Sequence, residues 1–162
     1  MRKIELILRR ALGAVAMTAV GASGMASPAF ASPGSGITAT TFVTAVLSED
    51  VVANHDRIKF QTKDPTVVRV QKLVFAAGGM TGFHHHPGVV IVSVESGSVS
   101  LVDSSCATQT YGTGSVFVEH EDHVHQAVSP GGAVVYVTYV VPNASPPSFR
   151  IEEQVPFCAS HF

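Results

Sequence analysis

The sequence predicts an all-β, antiparallel fold, a sandwich or a barrel, and two observations support this prediction. Short runs of β-branched and aromatic residues alternate with clusters of Gly, Pro, Asp and Ser. No sustained helical period follows the N-terminal segment. About eight strands at such a spacing are typical of antiparallel sandwiches and barrels. The expected strands are 38–47, 57–62, 67–75, 89–94, 98–103, 115–119, 123–129 and 133–141, with 149–155 as a final strand or extended tail.

The N-terminal segment, residues 1–31, is organised like a secretory signal peptide. A basic start precedes an apolar stretch over 11–20 and the small-residue site Ala29-Phe30-Ala31, so cleavage is expected before Ser32. The apolar stretch is short for a membrane span, which needs about 20 residues. We therefore expect a secreted or extracytoplasmic protein of the periplasm or cell envelope, with no membrane attachment after cleavage.

The remaining chain is expected to form a single domain. Residues 32–56 are predicted to be an N-terminal linker and arm, 57–145 the β-barrel or sandwich, and 146–162 a C-terminal tail. The formal net charge is −2 at pH 7. Nucleic-acid binding requires a basic surface that displaces counterions, so we expect no nucleic-acid partner.

The two cysteines, Cys106 and Cys158, fit an oxidising compartment. An even number of cysteines in an exported chain predicts a disulfide. The bridge would close a loop of about fifty residues and contribute on the order of 4 kcal/mol in the chain-entropy model. Two unpaired thiols are the alternative. The spacing does not match a C-x-x-C redox motif.

Most of the histidines fall into two short clusters, at positions 84–86 and at positions 120, 123 and 125. Side chains alternate between the two faces of a strand, so His84 and His86 share a face and His85 points the other way. By the same rule, His123 and His125 share a face. Imidazoles from neighbouring strands can hold one divalent ion, such as Fe, Mn, Zn, Ni or Cu, and leave positions open for water or substrate.

At these spacings the sequence resembles the cupin superfamily. Its first motif runs from a glycine through His-x-His to a glutamate and a second glycine, and its second motif runs from a glycine through Pro-x-Gly to a histidine and an asparagine. The matching residues are Gly78, His84, His86 and Gly97 in the first motif and Gly114 and His125 in the second. The resemblance covers residues 67–141. It implies a double-stranded β-helix, or jelly-roll barrel, and one divalent metal ion held by His84, His86 and His125.

The sequence also departs from both motifs. The motif glutamate falls on Val90, which cannot bind a metal, and the motif asparagine falls on Ser129. The Pro-x-Gly turn is replaced by residues 120–122. A three-histidine site remains, similar to that of cupins such as the thiol dioxygenases, with His123 as a possible additional or alternative ligand. Neighbouring carboxylates could accept hydrogen bonds from the ring N–H groups. They are Glu119, Glu121 and Asp122.

The resemblance implies a small-molecule site at the mouth of the barrel. Phe83, Val90 and Tyr136 are expected to line it, and no Arg or Lys is evidently placed to hold an anionic substrate. The first functional hypothesis is an iron- or manganese-dependent dioxygenase, or a related enzyme acting on a small organic molecule. The alternatives are a metal or small-ligand binding module without turnover, and a barrel whose histidines carry no metal. Cupins often pair through their sheets, so a homodimer is possible, although no sequence feature requires one.

Overall fold

A computed structural model describes residues 34–144 and 146–159 of the chain. The predicted signal peptide and His161 lie outside the described residues. The strands, in chain order, are β1 Ser35–Leu47, β2 Val51–His55, β3 Ile58–Thr62, β4 Thr66–Met80, β5 His84–His85, β6 Val89–Asp103, β7 Thr108–Gly112, β8 Val116–Glu119, β9 His125–Ser129, β10 Ala133–Pro142 and β11 Ile151–Glu152. A 3₁₀ turn at Phe157–Ala159 follows.

Two long antiparallel strands, β4 and β6, close the barrel because each takes part in both of its halves. Strand β6 pairs with β10 and β8 through its first half, and with β9 and β7 through its second half. Strand β4 pairs with β1 and β10, and its last two residues pair with β9. The predicted all-β, antiparallel jelly-roll barrel is confirmed.

The core lies between the two halves of the barrel and follows the alternation of side chains along the strands. In β6 the buried residues are every second one, Val90, Val92 and Val94, and in β10 they include Val135 and Val137. Burying a valine side chain contributes roughly 1.5–3 kcal/mol, so these strands provide much of the apolar stabilisation. Phe75, Val99, Phe117 and Ala127 complete this core.

Strand β6 covers two predicted strands, 89–94 and 98–103, which the sequence separates by Ser96-Gly97. This dipeptide forms an irregularity within one continuous strand, where the register against β10 shifts. Gly97 has φ 75°, and a Cβ there would lie 2.1 Å from the carbonyl oxygen of Gly132. Only glycine tolerates both the positive φ and this close approach of the backbone. The Ser96-Gly97 dipeptide therefore marks a bend within the strand and not its end. Strands β2 and β7 were not predicted.

The N-terminal part is strand-rich. Strand β1 pairs with β4 over most of its length as an edge strand, and β2 and β3 form a separate two-stranded sheet. Their apolar side chains are largely exposed. The exposed residues include Phe42, Val46, Val52 and Ile58. Within the described ranges no helix has the length and hydropathy that a membrane crossing needs.

The C-terminal residues 146–159, which we call the strap, cross the barrel beside the histidines. Strand β11 pairs antiparallel with β5. The Phe149 ring packs edge-on against Tyr139 and lies 3.5 Å below the guanidinium of Arg69. At the far end, Cys158 forms the predicted disulfide with Cys106, with 6.2 Å between the Cα atoms. The strap is therefore fixed at both ends.

Candidate metal centre

Three of the predicted ligands, His84, His86 and His125, converge inside the barrel. His84 on β5 lies directly opposite His125 on β9, and His86 follows the end of β5. One nitrogen from each ring lies within 4.8 Å of the other two. The exposed fractions of the three residues are 4%, 3% and 2%. Neighbouring strands therefore bring these imidazoles to one buried point, as the alternation of side chains predicted.

Each of these rings is held through its Nδ1 atom by a backbone carbonyl oxygen. The distances are 2.9 Å from His84 to Gly82, 2.6 Å from His86 to Phe149 and 2.7 Å from His125 to His123. A carbonyl oxygen can only accept a hydrogen bond, so each Nδ1 carries the proton. In a neutral ring the Nε2 atom then carries an unshared electron pair that can bind a cation. Such orientation by a partner of the other nitrogen is typical of histidines that bind metals.

A carboxylate, Glu119, completes the group. It ends strand β8, is 8% exposed, and places its oxygens 3.2 Å from Nε2 of His86 and 3.3 Å from Nε2 of His125. Burial raises the pKa of Glu119, but the His125 and His86 rings outweigh this effect and hold it at about 2. Glu119 is therefore ionised at neutral pH although its side chain is buried.

The geometry of this group fits a cation. With the ring proton on Nδ1, the Nε2 atoms of His86 and His125 are acceptors, and so are both oxygens of Glu119. Acceptors this close in a buried site repel one another unless a positive charge lies among them. Nε2 of His125 has no hydrogen-bond partner among the described residues. A proton on one ring satisfies one contact, whereas a divalent cation satisfies all of them, so the residues fit a metal ion.

The histidine pKa values follow the same arrangement. Burial lowers the pKa of His84 to about 3, and the positive charge of Arg150 adds to this effect. His84 therefore stays neutral and able to bind a cation. Burial also lowers the pKa of His125, but the carboxylate of Glu119 raises it by more, so the net shift is upward.

Glu119, one of the three neighbouring carboxylates named from the sequence, is the one that lies against His86 and His125. The motif glutamate falls on Val90, and Val90 pairs directly with Glu119 on the adjacent strand β8. The negative charge thus comes from the neighbouring strand at the same level of the barrel. The sequence contained one signal for this, because Glu119 lies two residues after the buried Phe117 and so shares its inward face.

The other histidines of the two clusters lie outside this group. His85 points away from it, with Nδ1 2.8 Å from Glu153 and Nε2 3.6 Å from Asp122. His123 is exposed, because it precedes the start of β9 and the alternation of a strand does not apply to it. Its contribution is the carbonyl oxygen that holds His125. His120 is also exposed.

A cavity of about 60 Å³ adjoins the histidines, but the three residues expected to line it do not. Phe83 and Val90 are fully buried elsewhere in the barrel. Tyr136 lies on the outer face of β10, where its hydroxyl group contacts Lys72 and Glu95. The inward positions of β10 are odd-numbered, so its tyrosine at the cavity is Tyr139. The cavity is lined mainly by apolar side chains, including Leu73, Phe75, Val92, Val99, Phe117, Val135 and Val137.

The comparisons with known proteins concern the fold. No family model matches the chain, and neither does any curated protein. Among solved structures, it is similar to an RmlC-like cupin from Shewanella frigidimarina, with 15% identity over 68% of this chain and 80% of that chain and a TM-score of 0.47. It is also similar to a cupin domain from Bordetella pertussis, with 19% identity over 70% of this chain and 99% of that chain and a TM-score of 0.47. A third similar structure is a salicylate 1,2-dioxygenase from Pseudoaminobacter salicylatoxidans, with gentisate adducts. Its identity is 16% over 64% of this chain and 24% of that chain, and the TM-score is 0.46.

Proposed function

We propose that this chain is an exported member of the cupin superfamily that holds one divalent metal ion and acts with it on a small organic molecule. One observation carries the proposal: three buried imidazoles turn proton-free Nε2 atoms toward one another and two of them face an ionised, buried carboxylate. His84, His86 and His125 would hold the ion. Glu119 would be the fourth ligand.

The donor set decides what such an ion could do. Three neutral imidazoles and one carboxylate suit iron, manganese, zinc, nickel or copper. When bound, the ion would supply Lewis-acid chemistry, or redox chemistry if it is iron or manganese. Glu119 offsets one of the two positive charges. The ion is therefore a weaker Lewis acid than it would be in a site with three histidines alone.

The protein would contribute orientation and the exclusion of water. The three carbonyl acceptors hold the rings in place before any ion arrives. The apolar lining of the adjoining cavity leaves few polar partners for water, so a charge on a bound molecule would interact strongly with the metal centre. The residues of the centre would thus bind and orient a reactant.

A binding module without turnover is the second candidate, and the size of the cavity favours it. About 60 Å³ adjoins the histidines, and the strap covers this side of the barrel. That space accommodates roughly four water-sized groups. A site of this size could hold a metal ion with one small ligand without catalysing any reaction.

The metal site is tested by elemental analysis of the mature chain, purified without an affinity tag. We expect about one equivalent of a single divalent metal per chain in the wild-type protein. The same amount is expected in the H55Q variant, which removes an exposed histidine of strand β2. The H84A variant should contain less than about a tenth of an equivalent. Equal metal contents in wild type and H84A would refute the proposed site.

Turnover is tested with the metal-loaded protein in a screen of small organic acids, alcohols and thiols. Oxygen consumption and product formation are recorded for wild type and for H84A. Consumption that requires both the substrate and His84 supports an enzyme. Stoichiometric metal with no consumption across the screen supports the binding module.

A further inference from the structure

Arg150 of the strap places a cationic side chain at the wall of the cavity. The inner cavity at the histidines and an outer pocket of about 300 Å³ share four lining residues. These residues are Leu73, Thr81, Tyr139 and Arg150, and we call them the neck. The two cavities therefore adjoin at the neck, and the side chain of Arg150 lines both of them.

The guanidinium is already bound to a carboxylate. Its Nε and Nη2 atoms both donate to Glu152, with 2.8 Å between Nη2 and Oε2, and Nη2 also donates to the carbonyl oxygen of Thr81. Such paired donation is the geometry in which arginine recognises carboxylates. The Glu152 side chain is about half exposed, so its carboxylate can leave toward solvent. Glu152 therefore occupies a carboxylate-binding position on Arg150, in the outer pocket that adjoins the cavity.

The remaining cavity wall offers little that could hold a charged molecule. Beyond the metal-centre residues, its polar groups are Thr81 and the Tyr139 hydroxyl group. The Thr81 hydroxyl oxygen already accepts a hydrogen bond from the backbone N–H of Ala127. Among the described residues that line the cavity, Arg150 is the only cationic side chain apart from histidine. An anionic group would therefore be drawn to Arg150.

We propose that Arg150 makes the site specific for small carboxylates, which replace Glu152 on the guanidinium and place their other end in the cavity beside the metal centre. This inference rests on the proposed metal site. The cavity holds roughly four water-sized groups, so the expected ligands are short-chain carboxylates. Arg150 is a specificity-determining residue, and Glu152 is a competitor that keeps it oriented in the absence of ligand.

The test uses the full mature chain loaded with cobalt(II), whose visible absorption reports ligand binding near the metal. Acetate and propionate are titrated, with acetamide and propionamide as neutral analogues of the same shape. The R150Q variant should bind propionate at least about tenfold more weakly, because one charge-assisted contact is lost. Its affinity for propionamide should not change. The R57Q variant removes an exposed charge in the β2–β3 turn and should behave as wild type.

The E152Q variant gives the opposite expectation and does not depend on whether R150Q folds. Without the competing carboxylate, propionate should bind about threefold or more tightly than to wild type, because Arg150 is free for the ligand. Unchanged affinities for propionate in both R150Q and E152Q, at full cobalt occupancy, would overturn the inference alone. Failure of the wild-type chain to take up cobalt would overturn the proposed metal site, and the inference with it.

Discussion

Two sets of histidines lie within a few residues of one another and have opposite surroundings. His84, His86 and His125 are buried with their Nε2 atoms directed at one point. His85 and His123 lie at the outside, where His85 contacts two carboxylates and His123 is exposed. The residue type is the same in both sets. What differs is the strand face and the backbone carbonyl that fixes each ring, and these decide which histidines can share an ion.

The largest expected effect separates His125 from His123. Replacing His125 in the H125A variant removes one of three imidazole ligands, so metal binding should fall below detection in a competitive titration with a chelating dye. The H123A variant keeps the carbonyl oxygen that holds the His125 ring, so its metal affinity should stay within about threefold of wild type. If H123A lost metal as completely as H125A, the distinction between inner and outer histidines would be wrong.

A second large effect is expected from the strap, which supplies one anchor of the inner set. The Phe149 carbonyl accepts the His86 hydrogen bond, and the disulfide fixes the end of the strap nine residues later. The C106S/C158S double variant should lose on the order of 4 kcal/mol of unfolding free energy, since the bridge closes a loop of 52 residues. Denaturant unfolding, monitored by circular dichroism, measures this loss.

The same double variant should also bind metal about tenfold more weakly, because the orientation of His86 is less firmly held. The matched control is S104A/S105A, which changes the loop beside Cys106 and keeps the bridge. A double variant with unchanged metal affinity would show that His86 needs no support from the strap. The predicted loss of unfolding free energy is tested independently by the denaturant unfolding measurement.

A further effect concerns Glu119, the buried carboxylate beside His86 and His125. The E119Q variant keeps the size of the side chain and removes its charge. Its amide N–H can donate to one of the Nε2 atoms and so compete with the ion. We expect metal affinity to fall about 10- to 100-fold, as for other changes around metal-binding histidines. The control is E121Q, which changes an exposed carboxylate two residues further on. Equal affinities of E119Q and wild type would exclude Glu119 from the centre.

The features predictable from the sequence were those that depend on neighbours along one strand. The alternation of side chains placed His84 and His86 on one face, and the turn clusters marked most strand ends. His123 was misplaced because the rule was applied to a residue that precedes its strand. Ser96-Gly97 was read as a turn because a glycine signal does not distinguish a bend from an end.

The contacts that the sequence did not reveal join separate chain segments. Glu119 was named among three neighbouring carboxylates, but its place beside the histidines follows from the pairing of β8 with β6 at Val90. Arg150 and the Phe149 carbonyl reach the centre through the path of the strap, which no local pattern specifies. Register between strands and the course of a tail are properties of the folded chain, so sequence periodicity carries no signal for them.

The three carbonyl anchors have a consequence for the thermodynamics of metal uptake. A zinc finger is unfolded without its metal, so ion binding and folding are one process. Here the barrel has already immobilised the rings, and little conformational entropy remains to be lost when an ion enters. The apo and holo proteins should therefore have nearly the same heat capacity and hydrogen-exchange pattern, and the centre should act as a preformed receptor for whichever cation its surroundings supply.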